Sequence, residues 1–314
     1  MKRAAFTCLL AGAAAAPRVA AAQGAPTVIR LGTSPVESYA LAFYGVDRGF
    51  FKAANLDVQL ASFTGGGGVM TAAAGGALDM GCANVGAQAN AHIHGLPFSM
   101  IAAGGNYSSN SPTTVLAVAK SAPLKTAKDL NGKTIGVSTL RDLQQASVMK
   151  WVDAGGGDSS TLKFLEIPVP EMAPALAAGR IDGACLLEPS LTFAKNETRI
   201  FGKCYDAISK SLTITTHFAN NAWLDEHPAA AHAFIGALRT TAQWANKNQA
   251  AAATILERIS KIPAATVGEM NRVQFGENLD PATIQPVIDA TAEYKFLPKT
   301  FNVTEMFWSQ ARAT

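Results

Sequence analysis

Short apolar runs alternate along this chain with Ala-rich amphipathic stretches, the pattern of strands and helices taken in turn. Val28-Ile29-Arg30-Leu31-Gly32 predicts a first strand. Tyr39 to Gly49 predicts a helix with Leu41, Phe43, Tyr44 and Val46 on its apolar face. Residues 56–60 alternate like a strand, and the run Gly65-Gly66-Gly67-Gly68 opens a helix over Val69 to Ala74. Strands follow at Met80 to Ala83 and Phe98 to Ala103, and again at residues 114–118, 134–137, 162–167 and 183–187. Helices are predicted from about Leu143 to Ala154 and over Met172 to Ala178. From Pro228 onward the pattern reads as helical to the end, with Pro263, Pro281 and Pro286 near helix starts.

One unit occurs twice. Ala74-Gly75-Gly76-Ala77-Leu78-Asp79-Met80-Gly81 is matched by Ala177-Ala178-Gly179-Arg180-Ile181-Asp182-Gly183-Ala184. Each follows an Ala-rich helical stretch and leads into an apolar run. The Gly suits the left-handed position just past a helix, and the Asp sits at the turn into a buried strand. Coincidence in an Ala/Gly-rich chain is the plain alternative. The repeat predicts two similar α/β lobes, with the second inserted into the first. Residues 23–112 and 217–314 would form lobe 1 and residues 113–216 lobe 2. The crossovers would be Ser108 to Pro112 and Ser211 to Thr216. A cleft between two such lobes is a natural ligand site.

The first 22 residues alter the composition. Lys2 and Arg3 precede an apolar stretch, Ala4 to Ala16, and Ala20-Ala21-Ala22 is a small-residue cleavage site. This is the pattern of a secretory signal peptide, so export and a periplasmic location are expected. Losing Lys2, Arg3 and Arg18 takes the formal charge from +3 to zero, with 23 basic and 23 acidic residues left. The basic balance belongs to the leader and implies no nucleic-acid partner. Cys82, Cys185 and Cys204 remain after Cys8 is lost. A Cys185–Cys204 bridge is compatible with that compartment, and spacing alone does not fix it. No cofactor is implied, and no pair has zinc-ligand spacing. His92 and His94 lack a third ligand. Gly-x-Ser-x-Gly, His-Glu-x-x-His and Gly-x-Gly-x-x-Gly are all missing, and no Gly-Lys-Ser/Thr follows the Gly run. The chain therefore reads as non-catalytic, and a monomer is expected.

Ligand contacts are expected at turns beyond the carboxyl ends of strands. In lobe 1 these are Ser34 to Tyr39, Thr64 with Gly65 and Gly66, and Asn84. The Gly run is either a plain flexible turn or a helix start whose N–H groups favour an anion. In lobe 2 the turn carries Thr139 and Arg141. Arg141 either reaches into the cleft to pair with a carboxylate or sulfonate, pairs with adjacent Asp142, or is a solvated surface residue. Glu188 either accepts a hydrogen bond from the ligand or caps a helix. Asn106 and Tyr107 near the first crossover, and Thr215 near the return, offer stacking or hinge packing.

Several of these segments resemble a known family. Ala42-Phe43-Tyr44-Gly45-Val46-Asp47-Arg48-Gly49-Phe50-Phe51-Lys52, Asn55-Leu56-Asp57-Val58, the Gly-rich turn and both Gly-to-Asp units resemble the periplasmic solute-binding proteins of the sulfonate/taurine/nitrate/thiamine-precursor group. So do residues 129–137 and Glu188-Pro189. The resemblance covers roughly residues 28–250. It implies a type II periplasmic binding protein that hands a small-molecule ligand to the permease of an ABC importer. It also places the C-terminal helices with lobe 1. In this chain Leu140-Arg141-Asp142 stands where a sulfonate cradle would be expected to offer small hydroxyl and Gly residues. The expected solute is a small organic anion, a carboxylate or sulfonate, aromatic ones included. A pyrimidine-type heterocycle is the alternative, and an enzyme or a receptor-sensing partner on the same fold are further ones.

Overall fold

The computed structural model describes residues 24–313, so the expected leader lies outside the described residues. Thirteen strands are described: β1 (Thr27–Thr33), β2 (Leu56–Ser62), β3 (Met80–Asn84), β4 (Phe98–Ala103), β5 (Gly105–Ser108), β6 (Thr114–Ala119), β7 (Thr134–Val137), β8 (Lys163–Glu166), β9 (Gly183–Leu187), β10 (Thr198–Gly202), β11 (Ser211–Thr213), β12 (Thr215–Asn220) and β13 (Gln274–Phe275). They form one sheet ordered β2-β1-β3-β12-β4, a second ordered β10-β6-β9-β7-β8, and a small third one, β11-β5-β13.

The two large sheets are built alike. In the first, β2, β1 and β3 are parallel, and β12 runs antiparallel to β3. In the second, β8, β7 and β9 are parallel, and β6 runs antiparallel to β9. Each antiparallel strand has just crossed from the other lobe. The central strands β3 and β9 are buried along their whole length, as expected when helices cover both faces of a parallel sheet.

The repeated sequence unit has the same job in both lobes. The helix Gly66–Ala74 ends with Gly76 at φ 75°, and the helix Val169–Ala177 ends with Gly179 at φ 67°. The reversals close with the same bonds, Ala77 N–H to Ala72 C=O and Arg180 N–H to Ala175 C=O, both 3.0 Å. Asp79 then donates its N–H to Arg30 C=O, and its carboxylate accepts the Arg30 N–H at 2.8 Å. Asp182 does the same with Thr134, accepting its N–H at 2.9 Å. A basic side chain flanks each carboxylate, Arg30 in lobe 1 and Lys133 in lobe 2. Each aspartate thus clamps its own strand entry to the neighbouring parallel strand.

Both crossovers meet in the small sheet, where Ser211, Leu212 and Thr213 pair with Ser108, Tyr107 and Asn106. The expected boundary at residue 216 falls inside β12, whose Thr215 and Thr216 pair with Asn84 and Ala83. The region after Pro228 is not helical to the end. The helices Pro228–Lys247, Gln249–Ser260 and Ala264–Glu269 are followed by β13, which pairs with β5. The last α-helix is Pro281–Glu293, and Pro286 lies inside it rather than near its start.

Candidate functional site

The lobes are shut against each other where β3 and β7 end. Asn84 caps the helix Val85–Ile93 by accepting the Ala87 N–H at 2.7 Å. Across the gap, Asp142 caps the helix Leu143–Ala154 through the N–H groups of Gln144 and Gln145. The two caps touch, with Asn84 Nδ2 donating to Asp142 Oδ2 at 2.9 Å. Both side chains are buried. Burial pushes the Asp142 carboxyl up to about 7, against the N–H donors that favour its charge. Backbones approach closely here: a methyl placed on Gly86 would stand 3.0 Å from Leu143 N. Gly66 lies under the Tyr39 hydroxyl, and Gly67 faces Thr139 across the gap.

Beside this contact the lobes part around a cavity of about 630 Å³. Lobe 1 supplies the turns after β1 and β2, with Ser34, Val36, Phe63 and Thr64, and Ser260 and Ile262 join them from the end of the helix Gln249–Ser260. Lobe 2 supplies one face of the helix Val169–Ala177, with Val169, Ala173 and Ala177, and the turn after β9, with Pro189 and Phe193. The wall is mainly apolar. Phe193 is 58% exposed, a large ring held in the open. Serine and threonine hydroxyls supply the polar spots, and Glu197 is the one charged side chain among the lining residues.

The expected site residues divide into three groups. Ser34 and Thr64 line the cavity. Tyr39, Gly65, Gly66, Asn84 and Thr139 form the closed interlobe contact beside it. The remainder lie elsewhere. Arg141 does not reach into the cleft. Its guanidinium donates to Lys295 O at 2.9 Å and lies over the Phe296 ring, so it ties lobe 2 to the segment after the last α-helix. Glu188 is buried and acts as a cap, accepting the N–H and hydroxyl of Thr192 and the N–H of Asn271. Burial raises its carboxyl to about 7. Tyr107 donates to Asp206 at 2.7 Å within the hinge, and Asn106 sits in β5 beside it. Thr215 donates to Ser38 O and accepts from Gly105 N, a hinge anchor. His92 packs against Phe301. Among the described residues no group of three metal-ligating side chains comes together.

Val36 falls within the expected turn Ser34 to Tyr39, whereas Phe63, Ile262, Phe193 and the cavity face of the helix Val169–Ala177 were not expected from sequence. Phe193 was within reach, because it follows the strand end at Glu188-Pro189. The Pro-containing helix carried no polar signal to mark its cavity face.

The family described as NMT1/THI5 like matches residues 38–252. Among solved structures, the chain is similar to the alkanesulfonate-binding protein SsuA of Xanthomonas axonopodis bound to MOPS, at 16% identity and a TM-score of 0.76, covering 91% of this chain and 99% of that one. It is similar to the ligand-binding component of an ABC-type import system from Staphylococcus aureus, at 14% identity and 0.77, covering 90% and 96%. It is also similar to the periplasmic nitrate-binding protein NrtA of Synechocystis, at 15% and 0.75, covering 89% and 84%. No curated protein matches this sequence. At these identities the structures establish the two-lobed periplasmic-binding-protein fold.

Proposed function

The chain belongs to the NMT1/THI5-like family, and from that premise we propose that it is the solute receptor of an ABC importer, working in the periplasm. It captures a small organic solute between its lobes and presents the closed form to a permease. The reading rests on one observation: an interlobe cavity of about 630 Å³ at the carboxyl ends of β1, β2, β8 and β9. Open α/β sheets bind ligands there, and closure on a hinge would let the permease sense occupancy. No helix among the described residues is long and apolar enough to cross a membrane, in keeping with a receptor that meets its permease from outside the bilayer.

Of the two solute classes open from sequence, the cavity favours the heterocycle over the organic anion. A carboxylate or sulfonate in an apolar wall needs a positive partner or a cluster of N–H donors. No Lys or Arg is among the described lining residues, and Arg141 is engaged elsewhere. The start of the helix Leu143–Ala154, which could have held an anion, is filled by the Asp142 carboxylate. A flat ring with hydrogen-bonding edges suits hydroxyls set in an apolar wall.

A thermal-shift and calorimetric screen tests this with alkanesulfonates, taurine, nitrate, carboxylates and pyrimidines. A true solute at a hundredfold excess over Kd adds about 2.7 kcal/mol of stability. Pyrimidine-type compounds should shift the midpoint and anions should not. A hit confined to anions would overturn the class and keep the receptor. Turnover of a bound compound would overturn the receptor.

A further inference from the structure

We propose that Cys185 and Cys204 are a disulfide pair, formed when the chain folds in an oxidising compartment. The two sulfurs are 3.8 Å apart. Both residues are fully buried. Bonding requires closing to about 2.0 Å. The pairing is unambiguous among the described cysteines, because Cys82 lies in the other lobe on β3.

The positions give the bond a purpose. Cys185 is in the centre of β9, the buried strand that leads on to Pro189 at the cavity. Cys204 opens the short helical turn Cys204–Ala207. The next two residues of that turn hold the hinge. Tyr205 packs edge-on against Tyr107 at 5.2 Å, and Asp206 accepts hydrogen bonds from the Tyr107 and Ser109 hydroxyls. Tyr107 and Ser109 belong to the outgoing crossover, and the turn itself leads into the return. A Cys185–Cys204 bond therefore ties the central strand of lobe 2 to the anchor of both crossovers. It lies within lobe 2 and leaves the lobes free to open.

The oxidant is an external disulfide, for which oxidised glutathione serves as the probe. One cysteine sulfur attacks it and releases one glutathione thiol, giving a mixed disulfide. The second cysteine sulfur attacks the mixed disulfide and releases the other thiol. Two protein thiols become one S–S bond, and the oxidised glutathione becomes two reduced molecules that carry the two protons. Because both sulfurs are buried, exchange precedes final packing and the finished bond is shielded from reductant.

The test is to refold the full chain from denaturant in a glutathione redox buffer, alkylate it, digest with trypsin and read the masses. Peptides 181–195 and 204–210 are expected as one linked species, lighter by two hydrogens than their sum and separated by reduction. Unfolding should shift to lower temperature when reductant is present, and the double variant Cys185→Ser, Cys204→Ser should fold without that sensitivity. Recovery of both peptides as alkylated thiols or as glutathione adducts, or a link through Cys82 instead, would overturn the proposal.

Discussion

Replacing Gly86 with alanine should place a wedge between the lobes. Gly86 is in the first turn of the helix Val85–Ile93, in ordinary helical backbone, so alanine costs lobe 1 nothing in conformation. Helix propensity favours it by up to about 1 kcal/mol. The new methyl would stand 3.0 Å from Leu143 N and 3.3 Å from Asp142 Cα, both backbone atoms of the other lobe. Neither can swing aside as a side chain would. Restoring a normal separation of about 3.5 Å or more requires the lobes to part by about 0.5 Å at this point. The same movement stretches the 2.9 Å bond between Asn84 and Asp142. Overpacking of this kind costs roughly 1–3 kcal/mol, charged here to the closed form alone. Solute affinity should fall roughly 5- to 150-fold. The unfolding midpoint without solute should hold or rise, and small-angle scattering should show a larger radius with solute than the wild type gives. Calorimetry and urea unfolding on the same preparation separate the two effects. Affinity within twofold of the wild type, or a marked loss of stability without solute, would refute the reasoning.

Four further outcomes follow from the same geometry. Arg141→Ala should leave solute affinity within about threefold, less than 1 kcal/mol, because the guanidinium serves Lys295 and Phe296; a larger loss by calorimetry would place it at the solute. Ala173→Phe should fill the cavity and abolish binding while circular dichroism and the unfolding midpoint stay near the wild type. Asp79→Ala and Asp182→Ala should each cost about 1–3 kcal/mol in urea unfolding by leaving a strand N–H without its acceptor, and the double variant should show their sum, since they lie in different lobes. His217 is fully buried with Nδ1 at 3.3 Å from Ala103 O, and burial lowers it from 6.5 to about 4. The unfolded chain therefore binds the proton first, so this term is fully present above pH 6.5 and is lost as pH falls toward 4. Relative to His217→Gln, the wild type should lose up to about 3 kcal/mol across that window; the comparison is with the variant because Asp142 and Glu188, both raised to about 7, act in the opposite sense.

The fold was legible where its determinants are local. Gly76 and Gly179 end their helices through bonds to residues within the preceding turn, and Asp79 and Asp182 act at the next strand entry. Those positions recur in sequence because the same short-range geometry recurs in each lobe. What pairs with them is not local. Arg30 and Thr134 lie 49 and 48 residues away, and sequence carried the turn without showing the clamp. β13 was missed for the same reason. Two residues make a strand only because β5 is there to receive them.

The site divides along the same line. Ser34 and Thr64 fall on the cavity because they follow strands, and the end of a parallel strand is a positional rule. Arg141 was misplaced because its partners are 154 and 155 residues onward, in a segment with no landmark of its own. Glu188 shows both cases at once: its bond to Thr192 is four residues off and was readable as a cap, while its bond to Asn271 is 83 residues off. The apolar wall was the least legible part. Val169, Ala173 and Ala177 sit at spacings of four along a helix, the same pattern that marks a face packed against a core. A helix face buried by protein and one left for a solute look alike in sequence, and only the position of the opposite lobe distinguishes them. An ion-binding cleft would have escaped that ambiguity, because its charges would stand out among apolar neighbours. On the proposed reading, a screen weighted toward neutral rings is where solute specificity should first be sought.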